Sequence, residues 1–519
     1  MKNESWAKLS RDSRVLMLGI DAMSLPFARV HLDQLPTLKA LIQRGVLVEP
    51  ESTGKYFSAS TWPSFASGKS VGELGQYFPF QWDAKHLKQR RLAESAWRNE
   101  FVFEPFWHEF ARSGIESTVL DVGFVLNDRA APCRQITNWS YQETSNADSS
   151  DPALLAEIRR RFGHRPIGRE VPVPKKKARC LKIRDQMIEA LGRKTDAILW
   201  LMDRYEWQFF LAGFYEAHRA GHNLWPIVGA FASETDSESL LEVYKALDRQ
   251  FQRIVEYAED ARTTLIVFAL HGMAPNMAQD HFLPKIMSKL NARYLAEHGF
   301  GVPPAREESL MSRFRKTVPS GLQIILANLV GERVQDWVVN RAVFGGLDWS
   351  RTPAFQVSSG GEGYLRLNIK GREAQGFFEP DSPELQQYVD WLEDALLQIR
   401  VADTGKPLVN RVLRTKDMFP GRKNHLLPDI LLKWAPEAPV EHIWSEKIGD
   451  IRERLRTGRG GNHAGGSFVL VTGPGASNSA VHEIVHIKDI GRFVRSCFEP
   501  VTTAIVRNDL SASNLTHVD

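Results

Sequence analysis

The chain is 519 residues long, with 43% hydrophobic and 25% charged residues, an ordinary globular composition with ample length for a large core. Its 66 basic and 62 acidic side chains leave a formal net charge of +4, which excludes a dedicated nucleic-acid binder with a concentrated basic footprint. Cys133, Cys180 and Cys497 lie too far apart for metal-ligand spacing and are an odd number for a disulfide framework, which fits a reducing compartment.

Met1 to Arg14 lacks the basic start and apolar stretch of a signal peptide, and no apolar run approaches the ~20 residues of a membrane helix. A cytoplasmic protein without a membrane span is expected. Val15 to Ile20 is a short apolar run ending at Asp21, the pattern of a buried parallel strand with a carboxylate at its tip. Pro36 to Gly45 follows, with Pro at the start, Leu38, Leu41 and Ile42 on one face and Gly at the end, an amphipathic helix. Gly45 to Glu49 reads as the next strand, completing a βαβ opening. Phe106 to Gly114 is a helix, and Glu116 to Val122 a strand ending near Asp121. The basic run Lys175, Lys176, Lys177, Arg179, Lys182 and Arg184 reads as a solvated, flexible face. Asp196 to Met202 suits a strand or a buried helix, and Phe209 to Tyr215 is a strand ending just before Glu216. Ser239 to Ala258 is a long amphipathic helix, and Thr263 to Leu270 a strand ending at His271. Gly363 to Asn368, Asp429 to Lys433 and Phe468 to Val471 read as later strands.

Alternating strands and helices predict a mostly parallel central sheet flanked by helices. Residues 1–75, 105–126, 190–280 and 351–519 are assigned to this core, and 76–104, 127–189 and 281–350 to inserted cap segments. Ligands of such sheets sit outside the carboxyl ends of the strands, and Asp21, Glu216, His218 and His271 all fall at or just beyond those ends.

Glu216-Ala-His218-Arg-Ala-Gly-His222 places two histidines four apart, on one face of a helix. Such a pair can hold one metal ion through two imidazoles, or serve as half-buried hydrogen-bonding groups. His271-Gly272-Met273 follows a strand, where a histidine can face a ligand or brace the structure. His463 sits in Gly460-Gly-Asn-His-Ala-Gly-Gly466, whose glycines permit a close backbone approach or make a flexible surface loop. Ser58-Ala-Ser-Thr-Trp-Pro-Ser-Phe-Ala-Ser-Gly68 crowds hydroxyls at the start of a short helix, as caps or as a nucleophile beside a bound phosphate. A hydroxyl nucleophile needs a base or a metal ion to ionise it.

These pieces, in this order, resemble the type I phosphodiesterase/nucleotide pyrophosphatase family of the alkaline phosphatase superfamily. The resemblance rests on Asp21, Pro36-Thr-Leu38 with Gly45, Ser58 to Gly75, Glu216 to Trp225, His271-Gly-Met273, and His463 with Gly473-Pro-Gly475. It implies an alkaline-phosphatase-like fold and a phosphodiesterase or nucleotide pyrophosphatase acting at zinc ions, two or one, with manganese as the alternative. It implies a nucleophile ten residues before a glycine, which is Ser58 counted from Gly68, with Ser60 and Thr61 as alternatives. Asp21 and His271 match ligands of the metal that carries the nucleophile, and His222 and His463 match ligands of a second.

Two positions depart from the family pattern. Leu270 stands where the family has Asp before the His-Gly pair, and His218 where it has Asp four residues before the helical histidine. His218 replaces coordination but not charge, so Glu216 is read as an added ligand or the site as a reduced one. A phosphate-ester small molecule is the expected substrate, with no nucleic acid, and a homodimer is compatible with the sequence. The alternatives are a phosphonate hydrolase or phosphomutase on the same fold, or a degenerate member that binds a phosphorylated glycan or lipid headgroup. A sulfatase is disfavoured because Ser58-Ala-Ser-Thr-Trp lacks the Pro and Arg of that family's signature.

Overall fold

The computed structural model describes residues 9, 12–92, 100–125, 131–141, 147–168, 173, 175–226, 234–235, 238–301, 332–455 and 457–499. The uninterrupted apolar run after Arg14 forms β1 (Arg14–Ile20), buried from Val15 onward. With it, β2 (Val46–Val48), β3 (Ser117–Leu120), β4 (Arg134–Thr137), β5 (Asp148–Ser149), β6 (Phe209–Phe214), β7 (Thr263–Ala269) and β8 (Phe468–Thr472) build one eight-stranded sheet in the order β2-β8-β7-β1-β6-β3-β4-β5. β1 runs parallel to both β6 and β7, and β3 runs parallel to β6 and β4. β8 is antiparallel to β2 and β7, and β5 to β4. Five neighbouring strands therefore share one direction, so Asp21, Asp121, Glu216 and His271 follow strands that end on the same edge.

Helices flank this sheet, as the alternation predicts. The helix over Ser239–Ala258 has the expected bounds. The segment Asp196 to Met202 lies within a 28-residue helix, Lys177–Arg204, which packs on the Ser239–Ala258 and Glu216–Leu224 helices. The basic run is accordingly not a flexible face. Cys180 and Ile183, with Met187 beyond the run, recur at helical spacing and are buried, so from Lys177 the run forms the first turns of this helix with Lys177, Arg179 and Lys182 outward, while Lys175 ahead of it is buried. The same helix passes through the expected segment boundary at residue 189.

A second apolar core lies beyond residue 280. An antiparallel sheet of Ala354–Val357, Gly363–Leu367, Ile430–Trp434 and Val409–Arg414 contributes to it together with the helices Leu283–Glu297 and Pro383–Leu397. Among the described residues no helix is long and apolar enough to cross a membrane.

Candidate active site

Asp21 leaves the tip of β1, and its backbone N–H donates to the Phe214 carbonyl at 2.8 Å. Its carboxylate is buried and surrounded by donors. Trp62 Nε1–H donates to Oδ1 at 2.8 Å and the Tyr141 hydroxyl to Oδ2 at 3.1 Å. Nδ1 of His218 contacts Oδ2 closely, and Nε2 of His271 lies 3.4 Å from Oδ1. Burial pushes the Asp21 carboxyl up, but its pairing and hydrogen bonding with His218 and His271 outweigh that and hold the group well below the usual carboxylate range.

The strand end at Phe214 feeds directly into the helix Glu216–Leu224, whose i,i+4 spacing puts His218 and His222 on one face. His463 arrives from the other side on an antiparallel ribbon of Gly272–Pro275 and Gly461–Ala464, opposite Met273. The ribbon sits so close that a Cβ on Gly461 would stand 2.5 Å from the Gly221 carbonyl oxygen. The glycine-rich loop thus serves a close backbone approach, which only glycine permits.

Three Nε2 atoms converge as a result. His218 and His222 are 2.8 Å apart, His218 and His463 2.9 Å, and His222 and His463 3.2 Å. Nδ1 of His222 meets the Gly461 carbonyl at 2.9 Å. A carbonyl only accepts, so Nδ1 carries the proton and Nε2 presents a lone pair. Nδ1 of His218 likewise faces the Asp21 carboxylate, which turns the lone pair of its Nε2 toward His222. Burial, the nearby Arg459 and the neighbouring histidines hold His222 well below the ordinary imidazole range, and burial with His218 and His271 does the same for His463. Facing lone pairs at these distances repel unless a cation, a proton or a metal ion, joins them. The same three residues form the group able to hold a metal ion among the described residues.

Ser58 opens a 3-10 turn, Ser58–Ser60, that runs into the helix Thr61–Ser67. It lines a cavity of about 190 Å³ together with Asp21, His218, His222, His271 and His463. Ser60 and Thr61 do not. The Ser60 hydroxyl donates to the Phe57 carbonyl at 2.7 Å, and the Thr61 hydroxyl donates to the Ser58 carbonyl at 2.8 Å. Glu216 is not brought to the histidines. It is fully buried with its carboxylate 3.5 Å from Lys194 Nζ. Leu270 turns into the main apolar core.

Several lining residues carry no motif and escape sequence reasoning. Phe78, Phe80, Phe124, Tyr141 and Tyr215 form an aromatic wall. Other aromatic residues in and beside the 76–104 segment do structural work. Trp82 donates to Glu373 at 2.7 Å and Trp107 to Gln135 at 2.7 Å, both buried, Phe101 is buried, and Trp97 lies outside the described residues. The signal for Tyr141 and Trp62 was their hydrogen-bonding tip, which a buried aromatic must satisfy, but nothing in the chain order ties either to Asp21.

A mostly parallel sheet with a cluster of histidines and a buried carboxylate at its strand ends defines an α/β enzyme with its site at the sheet edge. The sequence profile of Type I phosphodiesterase / nucleotide pyrophosphatase matches residues 15–447, and the chain belongs to that family. It is an enzyme of the phosphoric ester hydrolase class. No curated protein matches it. Among solved structures it is similar to phosphonoacetate hydrolase from Sinorhizobium meliloti at 12% identity, covering 96% of this chain and 98% of that chain with a TM-score of 0.48. It is similar to murine ectonucleotide pyrophosphatase/phosphodiesterase 5 at 11% identity, over 89% and 88% of the two chains with a TM-score of 0.44. A mutant of alkaline phosphatase PafA is 12% identical over 93% and 95%, with a TM-score of 0.47.

Proposed function

We propose that this chain hydrolyses phosphate esters of small molecules with the Ser58 hydroxyl as nucleophile, at a centre where His218, His222 and His463 hold one divalent metal ion. The convergence of three Nε2 atoms within 3.2 Å carries this reading. Ligand nitrogens around a tetrahedral zinc ion stand about 3.3 Å apart, so the trio needs only a slight opening to fit. An all-imidazole set suits zinc, with manganese as the alternative. Bound there, the ion supplies positive charge that favours an ionised serine and neutralises phosphoryl oxygens.

The residues left for a second ion support one rather than two. Leu270 offers no donor and packs in the core. Glu216 faces Lys194. Asp21, matched by resemblance to a ligand, has its oxygens engaged by Trp62, Tyr141 and His218. Its role in this reading is to hold the Nδ1 proton of His218 and so aim the opposite nitrogen, the arrangement of a carboxylate outside the coordination shell.

The chain's own part in the reaction is then positional. Ser58 faces the cavity while Ser60 and Thr61 are tied to carbonyls. Attack of the serine oxygen on phosphorus expels the ester's alcohol, and water cleaves the resulting phosphoserine. The aromatic wall excludes water from the apolar part of the substrate.

The test is elemental analysis of tag-free protein alongside hydrolysis of bis-p-nitrophenyl phosphate, p-nitrophenyl phosphate and phosphonoacetate. One zinc per chain with ester turnover is expected. Two ions would overturn the one-ion site, and no ion with no turnover would favour a binding protein. Turnover of phosphonoacetate alone would move the chain to the phosphonate hydrolases.

A further inference from the structure

Lys194 lies in the middle of the helix Lys177–Arg204, and its side chain has no exposed surface. A charge so placed is costly unless paired and hydrogen-bonded. Its ammonium donates to the Ser140 carbonyl at 3.0 Å and the Gly213 carbonyl at 2.9 Å, and it pairs with Asp121 Oδ2 at 2.9 Å. Glu216, also without exposed surface, stands 3.5 Å away.

Each contact leads to one arm of the proposed site. Asp121 ends β3 in the left-handed region at φ 58°, and its carboxylate accepts the backbone N–H groups of Trp139 and Ser140 at 2.7 and 2.9 Å. That turn delivers Tyr141, whose hydroxyl donates to Asp21. Gly213 is next to Phe214, whose carbonyl accepts the Asp21 N–H. A Cβ on Gly213 would meet the Asp121 carbonyl oxygen at 2.2 Å, so β3 and β6 are pressed together at this point. Glu216 begins the helix that presents His218 and His222.

We infer that Lys194 is a positioning residue that welds the ends of β3 and β6 and the start of the histidine-bearing helix into one frame, and so sets the aim of His218 and the seat of Asp21. The inference rests on the ion site proposed above. Buried ion pairs give little net stability compared with apolar packing of the same volume, so stability alone is a weak reason for a cation here. Two directed hydrogen bonds and an ion pair from one nitrogen to three separate segments fix geometry in a way that apolar contact does not.

The experiment compares zinc binding and ester hydrolysis by the full-length wild type, Lys194→Met, and the triple variant Lys194→Met with Asp121→Asn and Glu216→Gln. Affinity is measured by competition with a chromophoric chelator, on folded protein counted by near-ultraviolet circular dichroism. Lys194→Met leaves two buried carboxylates uncompensated and is expected to melt early. The triple variant removes that imbalance and is expected to recover much of the melting temperature. Both are expected to bind zinc at least tenfold more weakly per folded chain and to lose kcat with KM changed less than threefold. The visible spectrum of the cobalt-substituted proteins is expected to differ from wild type, as a shifted ligand geometry requires. A triple variant with wild-type zinc affinity and cobalt spectrum would overturn the role of Lys194 and leave it a structural ion pair. Wild-type protein that binds no zinc would instead overturn the ion site, and with it the role assigned to Lys194.

Discussion

The main-chain carbonyl of Gly461 accepts the Nδ1 proton of His222 at 2.9 Å. The bond fixes one tautomer of the ring and points its Nε2 lone pair at His218 and His463. Because Gly461 and His463 sit on the same ribbon, one short strand both supplies one histidine of the trio and orients another. The three histidines are therefore a coupled unit across the strand ends.

Ligand and orienting residues are expected to separate in a zinc titration. His222→Ala and His463→Ala each delete a nitrogen of the trio and should leave the chain with far less than one bound ion after dialysis. Asp21→Asn keeps all three nitrogens but removes the charge behind His218 and turns one acceptor oxygen into an N–H donor. It should weaken binding by roughly 10–100-fold, the usual effect of an outer partner. Full loss of zinc in Asp21→Asn would make Asp21 a direct ligand.

The nucleophile assignment has its own test. Ser58→Ala should lower turnover by at least about 10³-fold, as nucleophile deletions do, while zinc content stays at the wild-type level. Thr61→Ala removes a part-buried bond to the Ser58 carbonyl and should cost about 1 kcal/mol of stability, with turnover kept within tenfold. A folded Thr61→Ala protein that is as inactive as Ser58→Ala would transfer the role to Thr61.

Much of this centre is readable from the chain because its residues follow strand tips. An apolar run that stops at Asp21, Glu216 or His271 marks both the strand and the residue beyond it, and four-residue spacing marks His218 and His222 as partners. Lys194 was legible in principle. Met187, Leu191, Lys194, Ile198 and Leu201 fall at helical spacing on one buried stripe, and a lysine in such a stripe must find acceptors. Reading Asp196 to Met202 as strand or helix hid that periodicity, since a short apolar window fits both. The tie from Tyr141 to Asp21 spans 120 residues, and the pairing of Gly272–Pro275 with Gly461–Ala464 joins segments almost 200 apart. Neither has a local cause, so no local pattern announces it. The placement of Glu216 follows from the same limit, because its partner Lys194 competes with the histidines only once the helices have packed.

Acid should destabilise the metal-free protein in a defined window. His222 and His463 are held well below the ordinary histidine value of 6.5, chiefly by burial. Above that value the rings are neutral in both states and contribute nothing to the pH dependence. Below it the unfolded chain takes up protons that the folded chain refuses, so stability falls as pH drops from about 6.5. Asp21 adds a further loss nearer 3.8, because its folded carboxyl stays ionised below the pH at which the unfolded one protonates. Melting temperatures of the metal-free chain between pH 8 and 5 should decline below about pH 6.5, and less so in His222→Gln with His463→Gln. Flat behaviour across that range would mean that these rings are not held neutral by the fold.

Leu270 offers the sharpest test of one ion against two. The side chain is 1% exposed and belongs to the main apolar core, yet the residue precedes His271 and stands where the family places a carboxylate. Leu270→Asp puts a carboxylate into the main apolar core, where a buried charge that lacks its partner costs about 3–5 kcal/mol. Asp21 remains engaged by Trp62 and Tyr141, so it is not free to share an ion with the new carboxylate. The expected result is a lower melting temperature that added zinc does not restore, with one ion still bound per chain. Recovery of stability on adding zinc, with the count rising to two, would show that Asp21 can leave its hydrogen bonds. The single residue Leu270 would then be what separates this centre from a two-metal one.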